Sequence, residues 1–386
     1  MTQSKEIRWV KLGDFIHQLD ERNRDNTFTL ENLRGLSINK TFIPTKANMD
    51  GVSLTPYKLV PPLSFCYVTI TSRNSDKITL ALNESRNTYI VSSSYIVFYC
   101  IPNKKLLPEY LFLWFNMPEF DRYARYNSWG SAREAFSWDS MKLVEIPIPY
   151  KNGEPDVERQ QEVVDIWQGL RRLKEENEAI ARPLLDLCQA KMDDLKHSAP
   201  MITIGEYLEE VNVRNSDNIY TLDNLKGVSI EKMFITSKAN MEGVSLTPYK
   251  VVMPLDFCYV NITSRNGEKI TLALNQSKDN YIVSSSYTVF RLKNYEIFDP
   301  TYLFLWFSRP EFDRYARFNS WGSAREAFSW NEMLRVKVPK PSIEIQQAIV
   351  EIYHCARRAK DIAEEANQQL KSICPALMQY IIHSAV

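Results

Sequence analysis

Between residues 157 and 197 the apolar positions fall at Val163, Ile166, Leu170, Leu173, Ile180, Leu184 and Leu187, alternately three and four residues apart. That rhythm returns the same face of an α-helix turn after turn and is the seam of a coiled coil. Asn177 fills the remaining seat, where a buried amide fixes register at some cost in stability, or is simply solvated. Near the C-terminus the spacing recurs as Ile349, Ile352, Ala356, Ala359, Ala363, Ala366, Leu370 and Ile373. Four successive alanines allow close approach, so the bulky seam of Leu170, Leu173, Asn177 and Ile180 is expected to pack into the small one. The first helix would be roughly 60 Å long at about 1.5 Å per residue, with kinks expected at Pro183 and Pro375.

The segments ahead of the two helices have a different rhythm. VSLTPYKLV, SFCYVTI, KITLAL and YIVSSSYIVFYC are β-branched and aromatic runs broken by Pro, Asn and Ser, which predicts a curved β-sheet. PEYLFLWFNMPEFDRYARY places Pro108 and Pro118 at the first turns of two short helices packed on that sheet. The fold class is α+β.

The chain is also written twice. NSWGSAREAFSW, Asn127 to Trp138, returns unchanged from Asn319 to Trp330, and ITSRNSDKITLALN at Ile70 returns as ITSRNGEKITLALN at Ile262, both at an offset of 192. The helical segments repeat at 186, with Gln160 and Gln161 matching Gln346 and Gln347. The expected layout is a globular unit over 1–152, a long helix over 153–199, a second unit over 200–341 and a second helix over 342–386. Antiparallel pairing of the helices would relate the copies by a pseudo-twofold axis.

A chain of 386 residues, 44% hydrophobic and 24% charged, has material for two ordinary cores. No apolar run is long enough for a membrane span and the N-terminus lacks the apolar centre of a signal peptide, which predicts a cytoplasmic protein without membrane contact. The six cysteines show no CxxC and no histidine at metal-ligand spacing, so they are expected to be buried free thiols and no metal site is expected. A net charge of zero weighs slightly against a nucleic-acid partner, yet a basic face balanced by acidic surface elsewhere gives the same total.

Catalytic patterns are absent: the four histidines form no triad or ligand set, and there is no GxGxxG, GxxxxGK[ST] or GxSxG. Glu119 with Asp121, and Glu311 with Asp313, offer an acid pair, but EFDRYAR reads better as a helix start with acids near its N-terminus. What is duplicated is a set of donor-rich segments. Thr71, Ser72, Arg73, Asn74 and Lys77 join two strand-like runs, and Thr263, Ser264, Arg265, Asn266 and Lys269 are their copies. Arginine matches guanine O6 and N7, asparagine matches adenine, and Thr, Ser and Lys reach bases or phosphate. Ser93 and Ser285 add hydroxyls. Trp129, Ser131 and Arg133, copied as Trp321, Ser323 and Arg325, surround a glycine in a turn suited to binding phosphate or wedging against a groove. The plainer alternatives place Trp129 in the core and pair Arg133 with Glu134 or Asp139. Because NSWGSAREAFSW lies at the exit of each unit, it is expected to orient the unit on its helix as much as to touch a ligand, which favours the TSRN segment as the reader.

GSAREAFSWDSMKLVEIPIP followed by ERQQEVV, and GSAREAFSWNEMLRVKVPKP followed by EIQQAIV, resemble the specificity subunits of type I restriction-modification systems. The resemblance covers nearly the whole chain. It implies two target recognition domains that each read half of a bipartite site in double-stranded DNA, and helices that set the spacer and dock two modification subunits, joined by restriction subunits. It implies no catalysis and no cofactor in this chain, with S-adenosylmethionine, ATP and magnesium belonging to the partner subunits. Family members usually carry two dissimilar heads; near copies imply an inverted repeat with a nonspecific spacer. The competing expectation is a two-fold scaffold that grips two copies of a protein partner and never touches DNA.

Overall fold

The computed structural model describes residues 5–45, 47–71, 77–131, 133–237, 239–263, 269–323 and 325–383. Two compact units emerge, Met1–Glu176 with Ile362–Val386, and Asn177–Asp361. The division differs from the expected four segments because both ends of each long helix are built into a head, so each helix is shared between the units.

In the first unit the elements are β1 (Lys5–Lys11), β2 (Ile16–Leu19), β3 (Arg34–Leu36), β4 (Phe42–Pro44), β5 (Lys58–Val60), β6 (Ser64–Tyr67), β7 (Leu80–Leu82), β8 (Tyr89–Val91), β9 (Ile96–Cys100), α1 (Pro108–Phe115), α2 (Pro118–Tyr126), α3 (Trp138–Lys142), β10 (Glu145–Lys151), β11 (Glu154–Pro155) and the start of α4 (Val157–Ser198). An antiparallel sheet runs β2-β9-β6-β7, β3 pairs with β4, β5 with β8, and β1 with β10. The strands are short, so aromatic packing supplies much of the cohesion. Phe65 stacks on Phe98 at 4.9 Å and meets Phe115 edge-on at 5.4 Å, and Phe115 lies 4.5 Å from Phe120 of α2. Each such ring gains about 1.5–3 kcal/mol by leaving water. Pro108 and Pro118 open α1 and α2 as the sequence predicts, since the first turn has no use for the missing N–H.

The second unit holds the end of α4, then β12 (Met201–Thr203), β13 (Leu208–Val211), β14 (Lys226–Val228), β15 (Phe234–Thr236), β16 (Lys250–Val252), β17 (Phe257–Val260), β18 (Leu272–Leu274), β19 (Tyr281–Val283), β20 (Tyr287–Leu292), α5 (Pro300–Phe307), α6 (Pro310–Phe318), α7 (Trp330–Leu334), β21 (Lys337–Pro339) and the start of α8 (Ile343–His383). Its main sheet, β13-β20-β17-β18, has the same connectivity. One cross-strand pair differs in kind. Ser64 faces Tyr99 in the first unit, whereas Asp256 meets the Arg291 guanidinium at 2.9 Å in the second. Asp256 is buried, and burial raises its carboxyl pKa even against the arginine.

The long helices pack together with reversed order. In the first unit Val163, Val164 and Trp167 of early α4 share a core with Cys374, Leu377, Met378 and Ile381 of late α8, and the Arg159 guanidinium sits 4.3 Å over the Tyr380 ring. In the second, Met192 and Leu195 of late α4 join Ile349 and Val350 of early α8, and the Cys188 thiol donates to the Ile349 carbonyl at 3.8 Å. Pro183 and Pro375 lie inside helices that run on through them.

The seam on α8 follows the sequence pattern: Ala356, Ala359, Ala363 and Ala366 are all buried. On α4 the seats at Val163, Leu170, Asn177 and Leu184 hold and the alternate ones are shifted by one position. Trp167, Ala181 and Cys188 are buried there, with Leu170, Lys174, Asn177 and Leu184 partly so, while Leu173 and Ile180 are 43% and 51% exposed. An alanine surface takes small residues at close approach, so Ala181 and Cys188 occupy the seam and the larger neighbours Ile180 and Leu187 turn outward.

The first glutamine of the repeated pair opening each helix proves to be a clamp. Gln160 is fully buried; its carbonyl accepts from the Leu107 N–H at 2.9 Å and its amide donates to the Lys105 carbonyl at 3.0 Å. Gln346 accepts from the Asp299 N–H at 2.9 Å and donates to Ile297 and Pro341 at 3.0 and 3.1 Å. Of the six free cysteines five are buried as expected; Cys355 is exposed.

Candidate nucleic-acid interface

The two duplicated polar segments, far apart in sequence, meet in each head. The Phe136 N–H bonds the Thr69 carbonyl at 2.8 Å, Ile70 bridges Ala135, and the Thr71 N–H bonds the Glu134 carbonyl at 3.0 Å. The chain around 69–71 therefore runs along the arm of a hairpin closed by Trp129 and Ala135, which exchange backbone bonds of 3.1 and 3.0 Å. The second head repeats this with Phe328 on Asn261 at 2.8 Å and Thr263 on Glu326 at 3.0 Å.

Ser72, Arg73 and Asn74, with Ser264, Arg265 and Asn266, lie outside the described residues. The residues flanking them are held by hydrogen bonds on both sides. At one end Thr71 and Thr263 are buried, and their hydroxyls donate to the Glu134 and Glu326 carbonyls at 3.3 Å. Contrary to the sequence expectation, these two threonines face inward and serve the fold, because both their amides and their hydroxyls are paired to the hairpin. At the other end the Ile78 N–H donates to Asp121 Oδ1 at 3.2 Å, and Ile270 to Asp313 likewise at 3.2 Å.

Asp121 and Asp313 are not simply helix-start acids. Each is buried against a lysine 81 residues earlier in the chain: Lys40 Nζ donates to Asp121 at 2.6 Å and Lys232 Nζ to Asp313 at 2.6 Å. Both lysines are themselves buried, with φ of +59°. Burial lowers their pKa while the paired carboxylate opposes the shift. Sequence reasoning missed these lysines, and the only signal was their repetition at the common offset.

Lys77 is exposed. Its copy Lys269 is paired with Glu231 at 3.1 Å, where the first head has Asn39. Ser93 and Ser285 are exposed in the β8–β9 and β19–β20 turns. Ser131, Arg133, Ser323 and Arg325 are exposed as well. Neither plain alternative for the hairpin holds: Trp129 is 72% exposed and Trp321 67%, Glu134 pairs with Arg125, and Asp139 pairs with Lys142 at 2.8 Å. The segment is split in role, with Phe136 in the core and Trp129, Ser131 and Arg133 in solvent. Gly130 holds φ at +146°, where an added Cβ would stand 2.3 Å from the Arg133 carbonyl oxygen, so only glycine closes this turn. Among the described residues no helix is long and apolar enough to cross a membrane and no group of three or more His, Cys, Asp or Glu converges.

The two heads share one mixed sheet-and-helix connectivity, and each is built onto long helices. Residues 198–372 match the family described as type I restriction modification DNA specificity domain. The first half repeats the globular part of that stretch at an offset of 192, and the chain is similar to the specificity subunits of type I restriction-modification systems. It shares its fold with the type I restriction-modification system S subunit from M. genitalium, at a TM-score of 0.58 and 13% identity, covering 97% of this chain and 96% of that one. It also aligns with the HsdS subunit from Thermoanaerobacter tengcongensis at a TM-score of 0.40 and 13% identity, over 98% and 97% of the two chains. No curated protein sequence matches it.

Proposed function

We propose that this chain reads a bipartite double-stranded DNA site, one half per head, with the connection 71–77 and the hairpin 129–135 of the first head, and 263–269 and 321–327 of the second, facing the DNA. The reading is supported by the pairing of two duplicated, donor-rich segments side by side in each head of a specificity-family chain. Since the heads are near copies, the site is an inverted repeat with a nonspecific spacer, set by an antiparallel helix pair with a pseudo-twofold axis. Arg73, Asn74, Arg265 and Asn266 are assigned to base edges, and Ser72, Lys77, Ser93, Ser131 and Arg133 with Ser264, Lys269, Ser285, Ser323 and Arg325 to bases or phosphates.

The helices dock two modification subunits, and restriction subunits complete the cytoplasmic assembly. S-adenosylmethionine, ATP and magnesium reside in those partners, and this chain contributes specificity and no catalytic group. A docking face is offered in the second unit by Ile180 and Leu187, spaced by seven on α4 and 51% and 41% exposed. Selection of randomised duplex DNA by the assembled complex tests the proposal. An enriched inverted repeat is expected, and Arg73→Ala with Arg265→Ala is expected to abolish enrichment while leaving assembly intact. Two unrelated half-sites would overturn the symmetry, and absence of DNA binding at low salt would return the molecule to the scaffold reading.

A further inference from the structure

Each head leaves two large aromatic side chains in solvent beside its loop. Tyr126, the last residue of α2, is 81% exposed, and Trp129 is 72% exposed; their copies Phe318 and Trp321 are 80% and 67% exposed. Other rings of this size, such as Tyr67, Tyr110, Phe120 and Phe136, are buried. Exposing two rings at one place, in both heads, runs against the main driving force of folding and marks a contact surface.

The rings are carried on a stiff support. The Ser128 hydroxyl donates to the Ala124 carbonyl at 2.6 Å, capping α2 between them. The Arg125–Glu134 ion pair ties the helix end to the hairpin, and Gly130 closes it without room for a side chain. Arg317–Glu326, Ser320 and Gly322 repeat the arrangement. A preset ring sacrifices little freedom on binding. On the same hairpin as Trp129 stand the exposed Ser131 and the exposed cation Arg133, and Ser323 and Arg325 are exposed beside Trp321. An aromatic body edged with positive charge suits DNA, where apolar wedges enter between base pairs and cations meet the flanking phosphates.

We infer that Tyr126 with Trp129, and Phe318 with Trp321, are aromatic wedges that stack on bases and open a base step in each half-site. This rests on the DNA reading above. Wedging widens the step next to the bases read by the loop, so the site is selected partly by how easily that step unstacks.

The test uses the assembled complex and duplexes carrying 2-aminopurine at successive positions of the selected site. Wild type is expected to raise 2-aminopurine fluorescence at a step in each half. Tyr126→Ala with Trp129→Ala is expected to remove the signal in one half only, and to weaken binding roughly tenfold at every salt concentration without changing the salt slope. Arg133→Ala lowers that slope by about 0.9 instead. Trp129→Phe restores the signal, which separates stacking from a folding defect. Base extrusion by a methylating partner persists in the alanine variant, so only the difference between the two proteins is read. DNA binding without any difference overturns the wedge and leaves the DNA reading standing; no DNA binding by wild type overturns both. Loss of partner assembly with DNA binding unchanged also overturns the wedge and makes the rings a protein contact.

Discussion

Asp121 shows how far a single residue's role lies from its local sequence. EFDRYAR reads as a helix start, and Asp121 is indeed in the first turn of α2, yet its partners are Lys40 and the Ile78 N–H. Asp121→Ala leaves a lysine buried without its counter-charge and is expected to cost about 3–5 kcal/mol in denaturant unfolding. Replacing both members, Lys40→Met with Asp121→Leu, recovers most of this and leaves about 1–3 kcal/mol from the stranded Ile78 amide. If the single and double variants melt alike, the ion pair is not what secures the loop. Asp193 offers a pH counterpart. Lys196 first, then Gln189 and Arg309, hold its carboxyl below the usual aspartate range. A depressed carboxyl stabilises the fold above its unfolded pKa, and the contribution disappears as pH falls through the lower folded value. Asp193→Asn should therefore flatten the acid limb of a melting-temperature profile and leave neutral pH as the region of greatest loss. Neither long-range pair was legible, since both depend on chain segments meeting that no periodicity links. The exposure of Trp129 was also hidden, because an isolated tryptophan in a polar run is equally compatible with core or surface.

At the scale of elements, helix identity and length were legible from the three-four spacing, and the alanine seam of α8 was placed correctly because small residues at every seat leave no competing stripe. On α4 the alternate seat can fall on Leu173 or Lys174 and on Ile180 or Ala181, and hydrophobicity alone selects Leu173 and Ile180. Packing against alanine selects the smaller. Ala359→Leu should overfill the seam and destabilise by about 1–3 kcal/mol, whereas Ile180→Ala should change unfolding by no more than about 0.5 kcal/mol and instead weaken docking of a modification subunit, read by co-purification. The glutamine clamps are the second elemental feature. Gln160→Ala strands the Leu107 N–H and the Lys105 carbonyl, and a loss of about 1–3 kcal/mol for each buried group left unpaired bounds its effect on unfolding. The repeat marked these glutamines, but their role appeared only once the helix start was seen inserted under the loop before α1.

For the whole molecule, duplication was the most legible property, because offsets of 192 and 186 survive any error in secondary structure. What it hid is where the copies part. Glu231 neutralises Lys269 in the second head while Asn39 leaves Lys77 without a carboxylate partner among the described residues. Glu231→Asn is therefore expected to steepen the dependence of log affinity on log salt by about 0.9, the share of one phosphate contact; an unchanged slope would show Lys269 to be a structural lysine. The Asp256–Arg291 pair carries a further consequence, for inheritance. A crossover between the two halves of the gene that carried β17 without β20 would set Asp256 opposite Tyr99, with a buried charge and no guanidinium to meet it. Near-identical sequences invite such exchange, and this one contact penalises the recombinants that join Asp256 to the β9 sequence, while the reciprocal exchange sets Ser64 against a partly exposed Arg291, so that crossovers between these strands are tolerated in one direction only.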